Sequence, residues 1–341
     1  MTDGPDRCAL PGAWRATGTV VTEPPRLAPA PSGRLDPADL EAAAAAVVAR
    51  RVTGVGSSGP TAVAAALAET LTAIRSLAAP DDSGGPADWS PFGSLVPVLA
   101  GSPGAGASSV AAALTDALQL AGRCVLLVDA ADPARSGLAA ATATEGPWTS
   151  AVTPLLRIRY SWRQYALLAR LESRLPVISP GMVPPPSRWL PVLDPLHVTV
   201  VDIGHDGWRA TANPLLGAGA WLRSGLPAAR PVLVVRPTRP SLRHAEQVLS
   251  RLDPWARVGA VSVPCRLVVI GARQWPRGVA GAAGRRLEPL LPSAVFVPHD
   301  RQLEAGGVTA ELVGARVRGA LLPLLAAWDL VPATGRQKGQ T

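Results

Sequence analysis

Short apolar runs alternate, from residue 95 onward, with longer segments whose apolar residues recur at helical spacing. The runs predict buried strands within 95–100, 123–132, 197–208, 230–240 and 258–272. The segments between and after them predict helices at 108–122, 160–174, 213–224, 240–253, 280–291 and 310–328. Continuous apolar strands that alternate with helices are typical of a mainly parallel β-sheet flanked by helices, so the pattern predicts the α/β class. In such sheets a ligand binds beyond the carboxyl ends of the strands.

The composition of the chain changes along its length. Residues 1–36 are rich in Pro, Gly and Thr and predict disorder, whereas residues 37–80 are Ala-rich with helical spacing and predict a helical N-terminal extension. We expect a linker at 81–94, the α/β domain at 95–330 and a polar tail at 331–341. The start has neither the basic nor the apolar region of an export signal, and no window approaches 18 consecutive apolar residues. We therefore expect a cytoplasmic protein.

A glycine-rich stretch follows the first predicted strand of this domain and leads into a helix. It fits the phosphate-loop pattern G-x-x-x-x-G-K-[ST] at every fixed position except the lysine, where Ala107 stands. Glycines let backbone N–H groups turn toward phosphates, and the helix start adds a partial positive charge. The candidate nucleotide-binding residues are Gly101, Ser102, Gly104, Ala105, Gly106, Ala107, Ser108 and Ser109. The alternative is an ordinary strand-to-helix turn in a sequence rich in Gly and Ala.

Two aspartates stand at the ends of later apolar runs. Asp129 ends VLLVD and Asp202 ends VTVVD. Carboxylates that leave strand ends beside a phosphate loop are suited to coordinate Mg²⁺ or to orient a water molecule. We therefore assign Ser108 and Asp202 as candidate Mg²⁺ ligands and Asp129 as the candidate catalytic carboxylate. The alternative for each aspartate is a turn or cap residue.

The order of the glycine loop, VLLVDAADP and VTVVDIG is similar to that of the ParA/MinD group of deviant-Walker P-loop ATPases. Members of this group partition plasmids and chromosomes or position cell-division and other machinery. VLVVRPTRPSLRHAEQVLSRL resembles the group's strand and following helix, and VFVPHDRQLEAGG resembles its late segment near the adenine, which adds Pro298 to the candidate nucleotide-binding residues. The resemblance covers about residues 95–328. It implies ATP and Mg²⁺ as ligands, a homodimer, a partner protein and nonspecific DNA binding.

The sequence also departs from this group. Ser102 and Ala107 occupy the positions of the group's two loop lysines, and Asp129-Ala130-Ala131-Asp132-Pro133 is one residue longer than the usual D-x-D-P. A charge-assisted phosphate contact contributes about 1.5–3 kcal/mol to binding, and its loss slows phosphoryl transfer further. We therefore predict an accessory protein with a degenerate nucleotide site and little or no ATPase activity. The alternatives are an active ATPase that uses an arginine, such as Arg123 or Arg135, or a cation from a partner, and a nucleotide-free structural adaptor.

Positive charge is concentrated in the last third of the chain. The whole protein has a net charge of +8, and residues 211–341 hold 17 Arg and Lys against 7 Asp and Glu. This excess predicts a surface for polyanions, and we favour nonspecific DNA over a membrane surface. The candidate residues are Arg236, Arg239, Arg243, Arg273, Arg277, Arg285 and Arg286. The alternative is a solvated basic surface, and for the arginines of 155–175 we favour a packing helix whose charged side faces water.

Overall fold

The computed structural model describes residues 86–150, 155–191 and 195–332. The predicted segments 1–36 and 37–80 lie outside the described residues, as do residues 81–85 of the predicted linker and residues 333–341 of the predicted tail. None of the helices in this part of the chain combines the length and the apolar composition that a membrane span requires.

Strands and helices alternate through most of the described chain. The strands are β1 (Ala87–Asp88), β2 (Ser94–Ala100), β3 (Val125–Asp129), β4 (Trp148–Ser150), β5 (Leu156–Arg163), β6 (Ala166–Ser173), β7 (Val198–Asp202), β8 (Gly225–Leu226), β9 (Val232–Val235), β10 (Arg266–Ile270) and β11 (Val295–Val297). The α-helices are α1 (Ala107–Leu120), α2 (Gly207–Ala210), α3 (Arg239–Arg257), α4 (Arg301–Gly306) and α5 (Ala315–Ala326). Short 3₁₀ helices lie at Ser90–Phe92, Pro133–Arg135, Pro180–Met182, Pro186–Trp189, Gly217–Leu222, Ala280–Ala282 and Glu288–Leu290.

The main sheet runs in the order β11-β10-β9-β2-β7-β3-β6-β5-β4. Neighbouring strands are parallel from β11 through β6, and the last two pairings are antiparallel. β3 and β7 are buried along their whole length, which explains why their sequences read as uninterrupted apolar runs. The two central strands that end in aspartate, β3 and β7, thus lie side by side near the middle of the sheet.

Apolar side chains pack on both faces of the sheet. On one face, the Ala-rich helix α1 and the helix α5 bury their apolar sides together. On the other face, α3 packs with a cluster of aromatic side chains. The predicted fold class, a mainly parallel sheet flanked by helices, is therefore confirmed.

The predicted helix at 160–174 is wrong, because this segment forms the antiparallel hairpin β5–β6. Leu156, Ile158 and Tyr160 are buried, whereas the arginines between them are partly exposed, so the segment has the period of two that a strand requires. Gln164 has φ 54° at the turn. The predicted helices 213–224 and 280–291 are also absent as α-helices, since these segments form only short 3₁₀ helices.

A buried ion pair joins this hairpin to α1. The side chains of Arg163 and Asp116 are fully buried, and Arg163 donates from Nε and Nη2 to the two carboxylate oxygens over 3.0 and 2.8 Å. Arg163 also donates to the main-chain oxygens of Ala141, Thr309 and Glu311. The Val313 amide donates to Asp116 over 2.8 Å. The pair therefore connects α1, the hairpin and the segment before α5, and Arg163 does not face water as predicted for this segment.

The folded part of the described chain begins before residue 95, inside the predicted linker. Trp89 and Phe92 are each 2% exposed and pack against Trp221, at ring-centroid distances of 6.0 and 5.2 Å. β1 pairs with β8, and the close approach of Gly93 to His197 places this segment at the amino ends of β2 and β7. The chain therefore enters the domain at the edge of the sheet opposite the glycine loop.

Candidate functional site

The glycine loop lies between the end of β2 at Ala100 and the start of α1 at Ala107. Gly104 and Gly106 have φ values of 66° and 92°, in the left-handed region that favours glycine. A Cβ on Gly106 would also lie 2.9 Å from the Ile270 side chain. Glycine is therefore favoured at both positions by the backbone conformation, and at Gly106 also by the close packing of β10 against the loop.

Backbone amides at the loop and at the helix start are available to a ligand. The Gly101 amide donates to the Val234 oxygen over 2.8 Å, and the Ala105 amide donates to the Ser102 oxygen. Among the residues that the structure describes, the amides of Gly104, Gly106 and 107–109 have no hydrogen-bond partner, and α1 has no side-chain cap. Unpaired amides at a helix N-terminus form an environment that favours an anion.

The two positions of the missing lysines hold buried side chains. The Ser102 hydroxyl is 2.7 Å from the Ser241 hydroxyl, and these residues are 8% and 4% exposed. The Ser241 hydroxyl also accepts a hydrogen bond from the Arg236 amide over 3.0 Å. Ala107 is buried at the first turn of α1. Ser102 thus ties the loop to the first turn of α3.

The two predicted aspartates meet at the carboxyl edge of the sheet. Asp129 and Asp202 are register partners in β3 and β7, and both are buried. Asp129 accepts hydrogen bonds from the Ser136 hydroxyl and from the Ala131 amide. Asp202 accepts one from the Gly204 amide over 3.1 Å, but its Oδ2 has no hydrogen-bond partner among the described residues.

Burial disfavours the charged form of both carboxylates. It raises the pKa of Asp202 to about 7, and the neighbouring charge of Asp129 contributes to the increase, whereas the Ser108 hydroxyl and the Gly204 amide oppose it. Burial also raises the pKa of Asp129, against the opposing effects of Ser136, Ala131 and Arg170. A divalent cation beside these groups would favour their ionised forms.

The chemistry of this cluster fits Mg²⁺ held together with a phosphate. Ser108 begins the first turn of α1 and faces Asp202, and the loop after β3 approaches it so closely that a Cβ on Gly137 would lie 2.6 Å from its hydroxyl oxygen. Mg²⁺ is commonly bound by one or two carboxylates plus substrate phosphates. Among the described residues there is no group of three or more His, Cys, Asp or Glu side chains that could hold a metal ion. The oxygens of Ser108 and Asp202 would therefore need phosphate or water to complete a coordination shell.

The two loops that follow the aspartates are fastened to each other. His205 contacts the Ala130 oxygen through Nε2 over 3.0 Å. Burial lowers the pKa of His205 to about 4, so the ring is neutral at pH 7. Gly204, at φ 64°, lies so close to Ala131 that a Cβ on it would be 2.4 Å from the Ala131 Cβ. The loops therefore hold the aspartates in a fixed arrangement.

An open cleft lies beside the glycine loop. It has a volume of about 580 Å³, which includes space open to solvent. Its lining residues are Gly106, Ser109, Arg236, Ile270, Gly271, Val297, Pro298, His299, Asp300, Leu303 and Glu304. The structure thus places the predicted Pro298 in the same cleft as Gly106 and Ser109 of the loop.

Arg236 is the arginine that the structure places at the loop. Its Nε donates to the Gly104 oxygen over 3.0 Å. Arg123 instead follows the far end of α1, about 20 Å from the loop, and donates to the Leu330 oxygen. Arg135 is exposed in the 3₁₀ helix after β3. Sequence reasoning assigned Arg236 to the basic surface and missed this contact, because the sequence shows that Arg236 follows an apolar run but not that this strand lies beside β2.

The other arginines predicted to bind polyanions divide into two groups. Arg239, Arg243, Arg273, Arg277 and Arg285 are exposed, and Arg239 joins the start of α3 to the segment after β10 through the Gly278 oxygen. Arg286 differs from the prediction, because it forms ion pairs with Glu246 at 3.3 Å and Asp253 at 3.1 Å. Its charge is neutralised within the domain.

Solved structures to which this chain is similar include MinD- and ParA-family ATPases. The cell-division ATPase MinD of Pyrococcus furiosus has a TM-score of 0.43 and 15% identity over 68% of this chain and 100% of its own. A ParA family ATPase from Chlorobium tepidum has a TM-score of 0.41 and 14% identity, over 69% of this chain and 98% of its own. A putative plasmid partition protein from Borrelia burgdorferi, bound to AMPPNP, has a TM-score of 0.43 and 9% identity, over 70% of this chain and 99% of its own. No family model and no curated protein matches the sequence, and at these identities the similarity concerns the fold alone.

Proposed function

We propose that this protein is a ParA/MinD-like accessory protein, in partition, positioning or conjugation-associated machinery, that binds ATP with Mg²⁺ but hydrolyses it little or not at all. One observation carries the proposal: unpaired amides of the glycine loop lie at the same edge of the sheet as the unpartnered Oδ2 of Asp202. A phosphate with a bound divalent cation would satisfy both groups.

Each part of the site has a distinct role in this proposal. The backbone amides of Gly104, Gly106 and 107–109 hold the phosphates, and the cleft beside Pro298 and Ile270 accommodates the base. Ser108 and Asp202 would hold Mg²⁺, which when bound offsets phosphate charge. Asp129 orients a water molecule toward the phosphate.

Neither of the two loop positions that hold a lysine in the group carries a positive charge in this chain. Ser102 and Ala107 carry no charge, and the Ser102 hydroxyl is already hydrogen-bonded to Ser241. Charge that moves to the leaving oxygens during transfer has no lysine to stabilise it. Binding through amides and Mg²⁺ is therefore retained, whereas turnover is very slow.

Equilibrium binding of labelled ATP with and without Mg²⁺ tests this function. We expect Mg²⁺-dependent binding, with phosphate release close to background when DNA and lipid are added. Asp329→Asn is a matched control, because Asp329 is exposed and its φ of 59° is one that Asn tolerates. Absence of ATP binding would support a nucleotide-free adaptor. Turnover at a normal rate for the group, abolished by Asp129→Ala, would support an active ATPase.

The exposed arginines around the start of α3 support a second property, weak DNA binding. Arg239, Arg243, Arg273 and Arg277 have no carboxylate partner among the described residues, and Arg239 links the two segments that carry them. We expect salt-dependent, sequence-independent affinity that maps to residues 211–318. The proposal also includes a homodimer and a further partner protein, because the resemblance of the sequence to the ParA/MinD group implies both.

A shift assay on duplex DNA at increasing salt measures this property. Arg243→Ala with Arg277→Ala is expected to weaken binding and to reduce the magnitude of the slope of log affinity against log salt by about 2. Arg316→Ala, which removes an exposed arginine from α5, serves as the control. An affinity that stays constant from low to moderate salt would contradict the electrostatic explanation.

A further inference from the structure

The main chain brings Arg236 to the rim of the glycine loop. β9 is the neighbour of β2, and Val234 is the register partner of Ala100. The Val234 oxygen accepts a hydrogen bond from Gly101, the first residue of the loop. Arg236 follows two residues later at the same carboxyl edge of the sheet, where its side chain lines the cleft with Gly106 and Ser109.

Arg236 is held in this position by contacts with the loop itself. Its Nε donates to the Gly104 oxygen, and its amide donates to Ser241, whose hydroxyl is bonded to that of Ser102. Its own oxygen accepts from the Thr238 amide over 2.8 Å. An arginine fixed at both the backbone and Nε needs little rearrangement to meet a ligand.

The terminal nitrogens of Arg236 remain available. Neither has a hydrogen bond or an ion pair with any residue that the structure describes. Arg163 and Arg286, by contrast, are bound to carboxylates. An arginine side chain is permanently charged and presents donors in a planar arrangement that matches phosphate oxygens.

The charged side chains that line the cleft are unevenly distributed. Arg236 is the one permanent cation among its lining residues. The carboxylates of Asp300 and Glu304 also line the cleft, and Asp300 accepts a hydrogen bond from the Leu303 amide. Phosphate is therefore favoured beside Arg236, Ser109 and the loop amides rather than beside these acids.

We propose that Arg236 binds the phosphates of the nucleotide and so contributes to binding a positive charge that the loop itself lacks. This assignment rests on the proposed nucleotide binding and identifies its cation. It also separates Arg236 from the surface arginines with which it was grouped in the sequence.

The test measures binding of ATP, ADP, AMP and adenosine to the full chain by titration calorimetry. Arg236→Ala is expected to weaken ATP binding about 10- to 100-fold and to leave adenosine binding unchanged. Arg236→Gln keeps an amide donor for the Gly104 oxygen but removes the charge, so it should weaken ATP binding as the alanine variant does. Arg236→Lys should retain most of the affinity. Arg316→Ala is the control, and melting temperatures without nucleotide show whether each variant folds.

The outcomes separate this assignment from the proposed function. If the wild type binds none of the phosphorylated ligands, nucleotide binding fails and the role of Arg236 fails with it. If the wild type binds ATP and Arg236→Gln binds it equally well, the assignment is overturned while nucleotide binding stands. An equal loss of affinity for adenosine and ATP would also overturn it, because adenosine has no phosphate and cannot be affected by the loss of a phosphate contact.

Discussion

Replacing Arg163 by alanine is expected to lower the free energy of unfolding by about 3–5 kcal/mol. The change leaves Asp116 as a buried carboxylate without its cation and removes the donors to three main-chain oxygens. Urea denaturation measures the loss. Arg159→Ala, on the same strand, is the matched control, because the partly exposed Arg159 pairs with Glu145 and Glu172, and we expect it to cost less than about 1 kcal/mol.

A double variant shows whether the charge itself causes this loss. Asp116→Ala combined with Arg163→Ala removes both charges, so the total loss should be smaller than the sum of the two single losses. It should not return to zero, because the Val313 amide and the three oxygens remain without partners. Simple additivity of the two losses would show that the ion pair does not couple α1 to the hairpin.

Asp202→Asn is expected to stabilise the protein at pH 8 in the absence of Mg²⁺, by about 2–4 kcal/mol. The pKa of Asp202 is raised from 3.8 to about 7 by burial. Between these values the folded state holds a proton that the unfolded state releases, so stability falls as pH rises through this window. Above about pH 7 the folded state carries the full cost of a buried charge. Asparagine has no such cost, and the stabilisation should therefore be smaller at pH 5.

The same variant should abolish the Mg²⁺ dependence of ATP binding, since the amide replaces a charged ligand by a neutral one. Thermal denaturation at pH 5 and pH 8, with and without Mg²⁺, measures the first effect, and ATP titration measures the second. Asp329→Asn controls for a general effect of removing a negative charge. Equal stabilisation at both pH values would show that titration of Asp202 is not the cause.

The central strands were predictable because burial on both faces leaves Thr199 as the one polar residue within them ahead of the terminal aspartates. β3 and β7 are therefore visible as VLLVD and VTVVD, and the aspartate that ends each of them marks the carboxyl edge of the sheet. The hairpin β5–β6 was not predictable in this way. Its apolar residues fit both a helical period and a period of two. The charged residue Arg163 stands at a buried position of β5, and the partner that neutralises it, Asp116, lies 47 residues away in the sequence.

The same limit applies to the candidate site. The loop glycines and the aspartates carry local signals, whereas the bonds from Ser102 to Ser241 and from Arg236 to Gly104 join residues more than 130 positions apart. Such contacts depend on strand order. β3 to β7 lie on one side of β2, whereas β9 and the strands after it lie on the other side. Arg286 was misjudged for a related reason, because Glu246 and Asp253 reach it from α3.

The position of β1 has a practical consequence for work on this protein. Residue 86 meets the described domain at the amino ends of the strands, so the length of β2, about 20 Å, separates it from the cleft. A dye, an affinity handle or a surface tether attached at residue 86 is therefore kept clear of the ligand opening. The molecule can be immobilised there while small molecules still reach the opposite edge freely.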